Sequence, residues 1–226
     1  MERLGACVSM WSILLIKENS VPIVRYIRYG FFAIILSIAC QMVSAALPAT
    51  DSFTGTNNDP LSASWTTNGG GYDIQSNQVN STAAAGQGLA HWNADTFGND
   101  QYAQLVMKDF LSGLSYIGPA VRVAASAHTG YDCVSEGATL VLRKVVAASY
   151  TTLNTYTGTI AVNDLIRLEV SGTSLSCKQN GTERVTATDS AISSGSAGIG
   201  SYNQLARGDD FEGGNLGGST HRIILE

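Results

Sequence analysis

The chain has 226 residues, with 13 Lys and Arg against 18 Asp and Glu and a formal net charge of −5. This balance, with basic residues scattered along the chain, excludes the basic patch of a nucleic-acid-binding protein. Charged residues make up only 14% of the chain and 24 residues are glycine, which excludes long helices rich in Glu, Lys and Ala and is typical of secreted β-rich proteins.

Residues 1–45 are predicted to be a secretory signal peptide. Two arginines precede the apolar run Phe31–Ala39, which leads into Val43-Ser44-Ala45-Ala46. A charged segment, a short apolar core and a small-residue cleavage site are the layout of an export signal. The apolar run is too short to cross a bilayer of roughly 30 Å as a helix. We therefore expect a secreted, cell-surface or periplasmic protein, cleaved near Ala45 or Ala46 and free of the membrane after cleavage.

Three features of this leader leave alternatives open. The apolar run extends to Leu47 if an uncleaved anchor is assumed, and Cys40 closes it in the manner of a lipoprotein signal. Signal peptides rarely carry so long a segment ahead of the apolar core. We therefore hypothesise that translation starts later, at Met10 or at a non-AUG codon for Val21.

From Thr50 onward, short runs of alternating apolar and polar residues predict strands, and no segment shows sustained helical periodicity. Clusters of Gly, Asn, Asp and Ser separate these runs. Many short strands with turn signals between them indicate a β-sandwich or jelly roll. The clearest runs are Tyr102–Met107, Ala120–Ala125, Thr139–Val145, Asp164–Ser171, Ser174–Gln179 and Thr182–Ala187. The apolar positions expected in the core are Trp65, Ile74, Leu105, Val121, Val123, Leu140, Leu142, Ile166, Leu168, Val170 and Ile199.

Residues 164–187 are predicted to form a three-stranded meander. Ile166, Leu168 and Val170 alternate with polar residues, which is the pattern of a strand with one buried face. The pair Gly172-Thr173 supplies the first turn. The pair Asn180-Gly181 supplies the second, because a type I′ hairpin turn needs two residues with positive φ.

A series of short motifs follows a recognisable order along the chain. The motifs are Asp51-Ser52-Phe53, Leu61, Trp65, Tyr72-Asp73-Ile74, Pro119–Val123, Leu165–Gly172, Asn180-Gly181, Gly195–Gly200 and Asp209-Asp210-Phe211. This order resembles the concanavalin A-like lectin/glucanase superfamily, particularly its laminin-G-like branch. The resemblance implies an all-β fold, a two-sheet antiparallel β-sandwich (a concanavalin A-like jelly roll) whose first and last strands pair. Residues 46–226 would then form a single lectin-like domain, with its core over 51–213 and a flexible Gly-rich tail after residue 213.

Catalytic signatures are not found in the sequence. Glucan hydrolases of the resembled superfamily carry a Glu-x-Asp-x-(x)-Glu strand that places their carboxylates on one sheet face. None of the glutamates after the leader has a partner at that spacing; they are Glu136, Glu169, Glu183, Glu212 and Glu226. The sequence therefore favours a non-catalytic domain. A polysaccharide hydrolase with an unrecognised carboxylate arrangement is the alternative.

Four cysteines divide between the leader and the domain. Cys7 and Cys40 lie in the leader, which leaves Cys133 and Cys177. An even pair in an exported domain predicts a disulfide. Two buried free thiols are the alternative, since each cysteine shares a strand face with a residue suited to the core.

Aromatic residues in loops rich in Gly and Asn indicate a glycan ligand, because sugar rings pack on flat aromatic faces while amide and guanidinium groups bind hydroxyls. We therefore predict a secreted, non-catalytic carbohydrate-binding domain. A structural or adhesive surface protein that binds other proteins is the alternative, and core packing is the alternative role of each aromatic residue. The candidate ligand residues are Tyr72, Trp92, Asn93, Arg122, Tyr131, Tyr202 and Asn203.

The resemblance also implies a structural Ca²⁺ ion where the first and last strands meet. The matching carboxylates in this sequence are Asp51 and Asp210. Calcium takes six to eight oxygen ligands from carboxylates, carbonyls and water. The alternative is that both aspartates cap strand ends by accepting backbone N–H hydrogen bonds.

Overall fold

The computed structural model describes residues 47–82, 87–109, 116–202 and 206–217. The predicted signal peptide, Asn203 and the end of the Gly-rich tail lie outside these residues. Within the described ranges the regular structure consists of β-strands alone. No helix in these ranges is long and apolar enough to cross a membrane.

The described part of the chain contains fifteen strands. Their order confirms the predicted strands and adds several that alternation did not reveal. The strands are β1 (Ala49–Asp51), β2 (Trp65–Asn68), β3 (Tyr72–Ile74), β4 (Val79–Ser81), β5 (Gln87–Trp92), β6 (Gln101–Asp109), β7 (Tyr116–Val123), β8 (Gly130–Glu136), β9 (Thr139–Val146), β10 (Ser149–Thr157), β11 (Leu165–Ser171), β12 (Ser174–Gln179), β13 (Thr182–Thr188), β14 (Ser196–Tyr202) and β15 (Arg207–Asn215).

The strands form two antiparallel sheets, which confirms the predicted all-β sandwich. The eight-stranded sheet has the order β13-β12-β11-β6-β15-β4-β3, with β1 also paired to β15. The seven-stranded sheet has the order β10-β9-β8-β7-β14-β5-β2. Asp51 lies opposite Phe211 in the pairing of β1 with β15, so the first and last strands meet as the resemblance implied. Strand β15 continues to Asn215, two residues past the predicted end of the core.

The core lies between the two sheets, and every apolar residue predicted to be buried is buried. Alternation explains this result, because successive residues of a strand point to opposite faces of its sheet. Val123 is the one member that packs elsewhere. It belongs to a small apolar cluster with Leu89, Ala120 and Val145, separate from the main core.

A disulfide joins Cys133 to Cys177, which confirms the predicted pair over the alternative of free thiols. Cys133 lies in β8 of the seven-stranded sheet and Cys177 in β12 of the eight-stranded sheet. The bond therefore ties the two sheets together across the core.

The predicted meander is formed by β11, β12 and β13. Its second turn has positive φ at both central residues, 50° at Asn180 and 79° at Gly181. This is the backbone geometry that the Asn-Gly pair predicted.

Candidate functional site

Trp92, a predicted ligand residue, is a core residue in the structure. Its side chain is 7% exposed, and its ring stacks on Phe211 and meets the edge of Trp65. The indole Nε1 donates a 2.8 Å hydrogen bond to Asp95. The ring therefore offers no free face to a sugar, and core packing, the alternative role of this residue, is the one observed.

Tyr131 is also buried, with no exposed surface. Its hydroxyl donates to Asp189 at 2.7 Å and accepts a hydrogen bond from the backbone N–H of Ile192 at 3.0 Å. Burial, followed by the hydrogen bond to Asp189, raises the pKa of Tyr131 to about 12. Tyr131 thus fixes a loop to the core and does not form a sugar platform.

Two further candidate residues, Tyr72 and Arg122, are buried as well. Tyr72 is 7% exposed, and its hydroxyl contacts Ser201 at 2.9 Å. Burial is the main reason that the pKa of Tyr72 is raised far above its usual value. Arg122 is 3% exposed, and its guanidinium bonds to backbone carbonyls. The predicted aromatic shelf is therefore not formed by these side chains.

The remaining described candidates, Asn93 and Tyr202, belong to the seven-stranded sheet. Asn93 is exposed just after β5, and its amide donates to Thr66 at 2.8 Å. Tyr202 is half-buried at the end of β14, where its ring stacks on Tyr116 with centroids 5.1 Å apart. Asn203 lies outside the described residues.

Asn93 and Tyr202 lie toward one face of the seven-stranded sheet, the face that points away from the eight-stranded sheet. We call it the outer face. Strand alternation defines it. Tyr131 and Cys133 of β8 point into the core, so Asp132 and Val134 point outward. The register across the sheet then places these residues, among others, on the outer face: Thr66, Asn68, Leu89, His91, Tyr116, Gly118, Ala120, Asp132, Val134, Val141, Arg143, Val145, Tyr150, Gly198, Gly200 and Tyr202.

A buried ion pair lies at the middle of the outer face. Nε and Nη2 of Arg143 donate to the two carboxylate oxygens of Asp132 at 2.8 and 2.7 Å. Asp132 lies over Gly200, where an added Cβ would be 2.5 Å from the carboxylate, so glycine is required at that position. Burial disfavours the charge on Arg143, but the carboxylate of Asp132 outweighs it and keeps the pKa of Arg143 above its ordinary value.

Aromatic and imidazole groups border this ion pair. The Arg143 guanidinium lies 4.9 Å from the centroid of the Tyr150 ring, a cation–π contact. The Tyr150 hydroxyl contacts Nε2 of His128 at 2.5 Å. His91 lies across the face, with Nδ1 3.3 Å from the amide nitrogen of Asn68.

Both histidines are neutral at pH 7, because their pKa values lie below the ordinary 6.5. Burial causes the shift at His91. Burial is also the main cause at His128, where Asp132 opposes it. A neutral imidazole donates one hydrogen bond and accepts another, which suits a hydroxyl ligand.

The ion pair of Asp132 and Arg143 was not predicted from the sequence. Alternation does indicate the sheet face of Arg143, which lies in the predicted run Thr139–Val145 on the face opposite Leu140 and Leu142. No signal linked Arg143 to Asp132, because the pairing of β8 with β9 brings them together.

Two cavities lie outside this face. One, of about 590 Å³, is lined by Thr50, Asp51, Ser52, Gln104, Val106, Leu165, Asp210, Phe211 and Glu212. The other, of about 390 Å³, is lined by Asn99, Asp100, Arg122, Gly172, Thr173, Ser190 and Ser193.

The larger cavity contains both aspartates expected to bind calcium, but their contacts do not fit such a site. Asp51 accepts hydrogen bonds from the backbone N–H of Phe53 at 2.7 Å and from Nε1 of Trp65 at 2.8 Å, one on each oxygen. Asp210 is exposed. In the described ranges, no group of three or more His, Cys, Asp or Glu side chains is placed to hold a metal ion. Asp51 therefore acts as a hydrogen-bond acceptor at a strand end.

No protein-family model and no curated protein sequence matches the chain. Among solved structures, the chain is similar to the carbohydrate-binding module CBM66 from Bacillus subtilis, with 17% identity and a TM-score of 0.53 over 67% of this chain and 92% of that one. It is also similar to the VIP36 exoplasmic/lumenal domain in its Ca²⁺/Man3GlcNAc-bound form, with 12% identity and a TM-score of 0.51 over 69% of this chain and 85% of that one. These similarities and the two antiparallel sheets establish the concanavalin A-like jelly-roll fold.

Proposed function

We propose that this chain is a carbohydrate-binding, lectin-like domain and that sugars bind on the outer face of the seven-stranded sheet. The observation that carries the proposal is the composition of that face. Half-buried tyrosine rings flank a rigid, buried pair of polar groups, and the neutral imidazole of His128 contacts one of these tyrosines, Tyr150. A face that only met water would not need such fixed and partly desolvated polar groups.

The geometry suits a sugar ring. Tyr202 lies two residues from Gly200 along β14, a separation of about 7 Å, and Asp132 lies directly over Gly200. A sugar packed against the Tyr202 ring would therefore lie above the buried ion pair, which holds this part of the face rigid. The half-buried rings of Tyr150 and Tyr202 and the exposed amide of Asn93 would supply the contacts to the sugar.

The similar structures support the proposal at the level of class. CBM66 is a carbohydrate-binding module and the VIP36 domain was solved with bound Man3GlcNAc. We also propose that the domain is exported and non-catalytic, on the grounds of the leader and of the missing carboxylate pattern in the sequence. A sugar hydroxyl gains little free energy when it exchanges hydrogen bonds to water for hydrogen bonds to protein. We therefore expect dissociation constants in the micromolar to millimolar range.

A glycan array, run with and without calcium, tests the proposal. Wild-type protein should bind a subset of the glycans on the array, and Tyr202→Ala should weaken binding to them by about tenfold or more. Tyr102→Ala is the matched control, because Tyr102 is a half-buried tyrosine on the eight-stranded sheet. Equal binding by Tyr202→Ala and wild type would move the site away from the outer face. An array without any retained glycan would favour the structural or adhesive alternative.

A further inference from the structure

The smaller cavity, which we call the end cavity, is an open cleft bordered by three connections between strands. Asn99 and Asp100 precede β6, Gly172 and Thr173 form the β11–β12 turn, and Ser190 and Ser193 lie in the β13–β14 loop. The cavity shares no residue with the outer face. Its volume of about 390 Å³ lies within the usual range of ligand pockets.

Arg122 forms the inner wall of the end cavity in an unusual backbone conformation. It has a φ of 50°, which L-residues other than Gly, Asn and Asp rarely adopt. Its backbone N–H donates to Gln101 at 3.0 Å, and an added Cβ on Gly195 would lie 2.4 Å from its carbonyl carbon. Buried strain of this kind concentrates at functional sites.

The guanidinium of Arg122 donates a hydrogen bond to each of the three connections and has further N–H groups that are not used. Nε donates to the carbonyl of Asn99 at 3.0 Å, Nη1 to Ile192 at 2.8 Å and Nη2 to Gly172 at 2.8 Å. A guanidinium has five N–H groups, so one remains on Nη1 and one on Nη2. Among the described residues, no hydrogen bond uses either of them.

An acceptor lies beside these donors. Oδ1 of Asp100 is 3.8 Å from Nη2 of Arg122, too far for a hydrogen bond. The carboxylate is fixed by the backbone N–H of Gly172 at 2.8 Å and by the hydroxyl of Ser171 at 3.2 Å, and it is 51% exposed. The fixed carboxylate of Asp100 and the unused N–H groups of Arg122 are therefore close enough for one hydroxyl group of a ligand to contact both.

This pairing selects a class of ligand. A hydroxyl group accepts from a guanidinium through its oxygen and donates to a carboxylate through its hydrogen. Two neighbouring hydroxyls of a sugar satisfy both partners, and the serine and threonine hydroxyls of the wall add further contacts. The charges of Arg122 and Asp100 cancel, so the cavity attracts neither an anion nor a cation in particular.

We propose that the end cavity is a second carbohydrate subsite, which binds vicinal hydroxyls of a neutral sugar between Arg122 and Asp100. This rests on the proposed function and adds to it a ligand class and a second location. A domain with two subsites would hold a branched or folded-back glycan at two points, and the gain in avidity follows from the link between them.

Blocking the cavity tests the proposal without removing Arg122, whose loss endangers folding. Ser193 is exposed and lines the cavity, so Ser193→Trp fills it. Ser194→Trp is the matched control, because Ser194 is exposed, adjacent in sequence and not part of the lining. The probes are methyl glycosides of glucose, mannose, galactose and fructose, with methyl glucuronide as the charged comparison. The readouts are the NMR signals of the Arg122 Nε–H and of the Tyr202 backbone N–H.

A neutral glycoside should shift the Arg122 signal, and Ser193→Trp should weaken that response by about tenfold or more. Ser194→Trp and Tyr202→Ala should leave it unchanged. A response at Tyr202 alone would overturn the second subsite while the proposed function stands. Preferential binding of methyl glucuronide at Arg122 would overturn the assignment to neutral sugars. No response at either residue to any probe would contradict both proposals.

Discussion

Asp132 and Arg143 face each other across β8 and β9 and share two hydrogen bonds on the outer face of the seven-stranded sheet. The carboxylate has no exposed surface and the guanidinium side chain is 6% exposed. A buried charge without its partner is far less stable than the pair, whereas an apolar pair of similar volume is often tolerated. The pair is therefore an anchor whose two members depend on each other.

The first prediction concerns this dependence. Asp132→Leu alone should lower the free energy of unfolding by about 3–5 kcal/mol, because it leaves the Arg143 charge buried and unpaired. The double variant Asp132→Leu/Arg143→Met should recover most of that loss. Denaturant unfolding of wild type, Asp132→Leu, Arg143→Met and the double variant measures this. A double variant as unstable as the sum of the two single variants would show that the pair is not coupled.

Alternation in the sequence was enough to predict the sandwich and its core, but it failed for β5 and β8, two strands buried on both faces. The meander around Ile166 shows one apolar face and was predicted. β5 and β8, which carry Trp92 and Tyr131, are buried on both faces and show no alternation. Because β5 went unrecognised, the Trp92 ring was assigned to a loop, whereas Tyr131 was expected to share a strand face with Cys133 and was still named as a ligand residue.

Arg122 was placed differently for another physical reason. Arg122 lies between Val121 and Val123, both expected in the core, and strict alternation would point its side chain to the opposite face of the sheet. The register of β7 with β14 shifts at this point, and the φ of 50° turns the side chain inward. A bulge that redirects one residue has no signature in a pattern of apolar and polar residues.

The second prediction follows from the position of Trp92. Trp92→Ala should lower the free energy of unfolding by about 3–5 kcal/mol, because it removes a large ring from the core. Asn93→Ala, at the next and exposed position, should change it by less than about 1 kcal/mol. Chemical denaturation followed by circular dichroism provides the measurement. A stable Trp92→Ala variant that has lost only glycan binding would restore Trp92 as a ligand residue.

The third prediction concerns the disulfide. Cys133 and Cys177 are separated by 44 residues, and closing a loop of this length stabilises the folded chain by about 4 kcal/mol in the chain-entropy model. The variant Cys133→Ala/Cys177→Ala should therefore unfold at a lower denaturant concentration. Wild-type protein should match that variant once a reductant is added to the denaturant series. If reductant leaves the wild-type midpoint unchanged, the bond does not form in solution.

The fourth prediction concerns Asp51. Because both of its oxygens accept hydrogen bonds from Phe53 and Trp65, Asp51→Ala should cost about 1–3 kcal/mol by leaving buried donors unpaired. Melting curves of wild type in EDTA and in excess calcium should coincide. Asp210→Ala is the control for calcium binding, since Asp210 is exposed; its φ of 49° should make alanine cost about 1 kcal/mol there, with or without calcium. A melting temperature that rises with calcium and no longer does so in Asp210→Ala would establish a calcium site.

The last prediction concerns pH. The pKa values of His91 and His128 in the folded chain lie below the ordinary 6.5, so both rings resist protonation in the native state. As pH falls below about 6.5, the unfolded chain takes up protons that the folded chain does not. The free energy of unfolding should therefore be fully retained above that pH and should decrease as pH falls toward the folded pKa values.

Denaturant unfolding between about pH 7.5 and pH 5.5 measures this slope. The double variant His91→Gln/His128→Gln should have a flatter profile, since glutamine does not titrate. The carboxylates with lowered pKa values, Asp164, Glu169 and Asp189, act in a more acidic window, below their ordinary values of 3.8 for Asp and 4.5 for Glu. An unchanged slope in the double variant would show that neither histidine is held neutral. A flattened slope, together with glycan binding that weakens over the same range, would place the neutral imidazoles in the ligand-binding face itself.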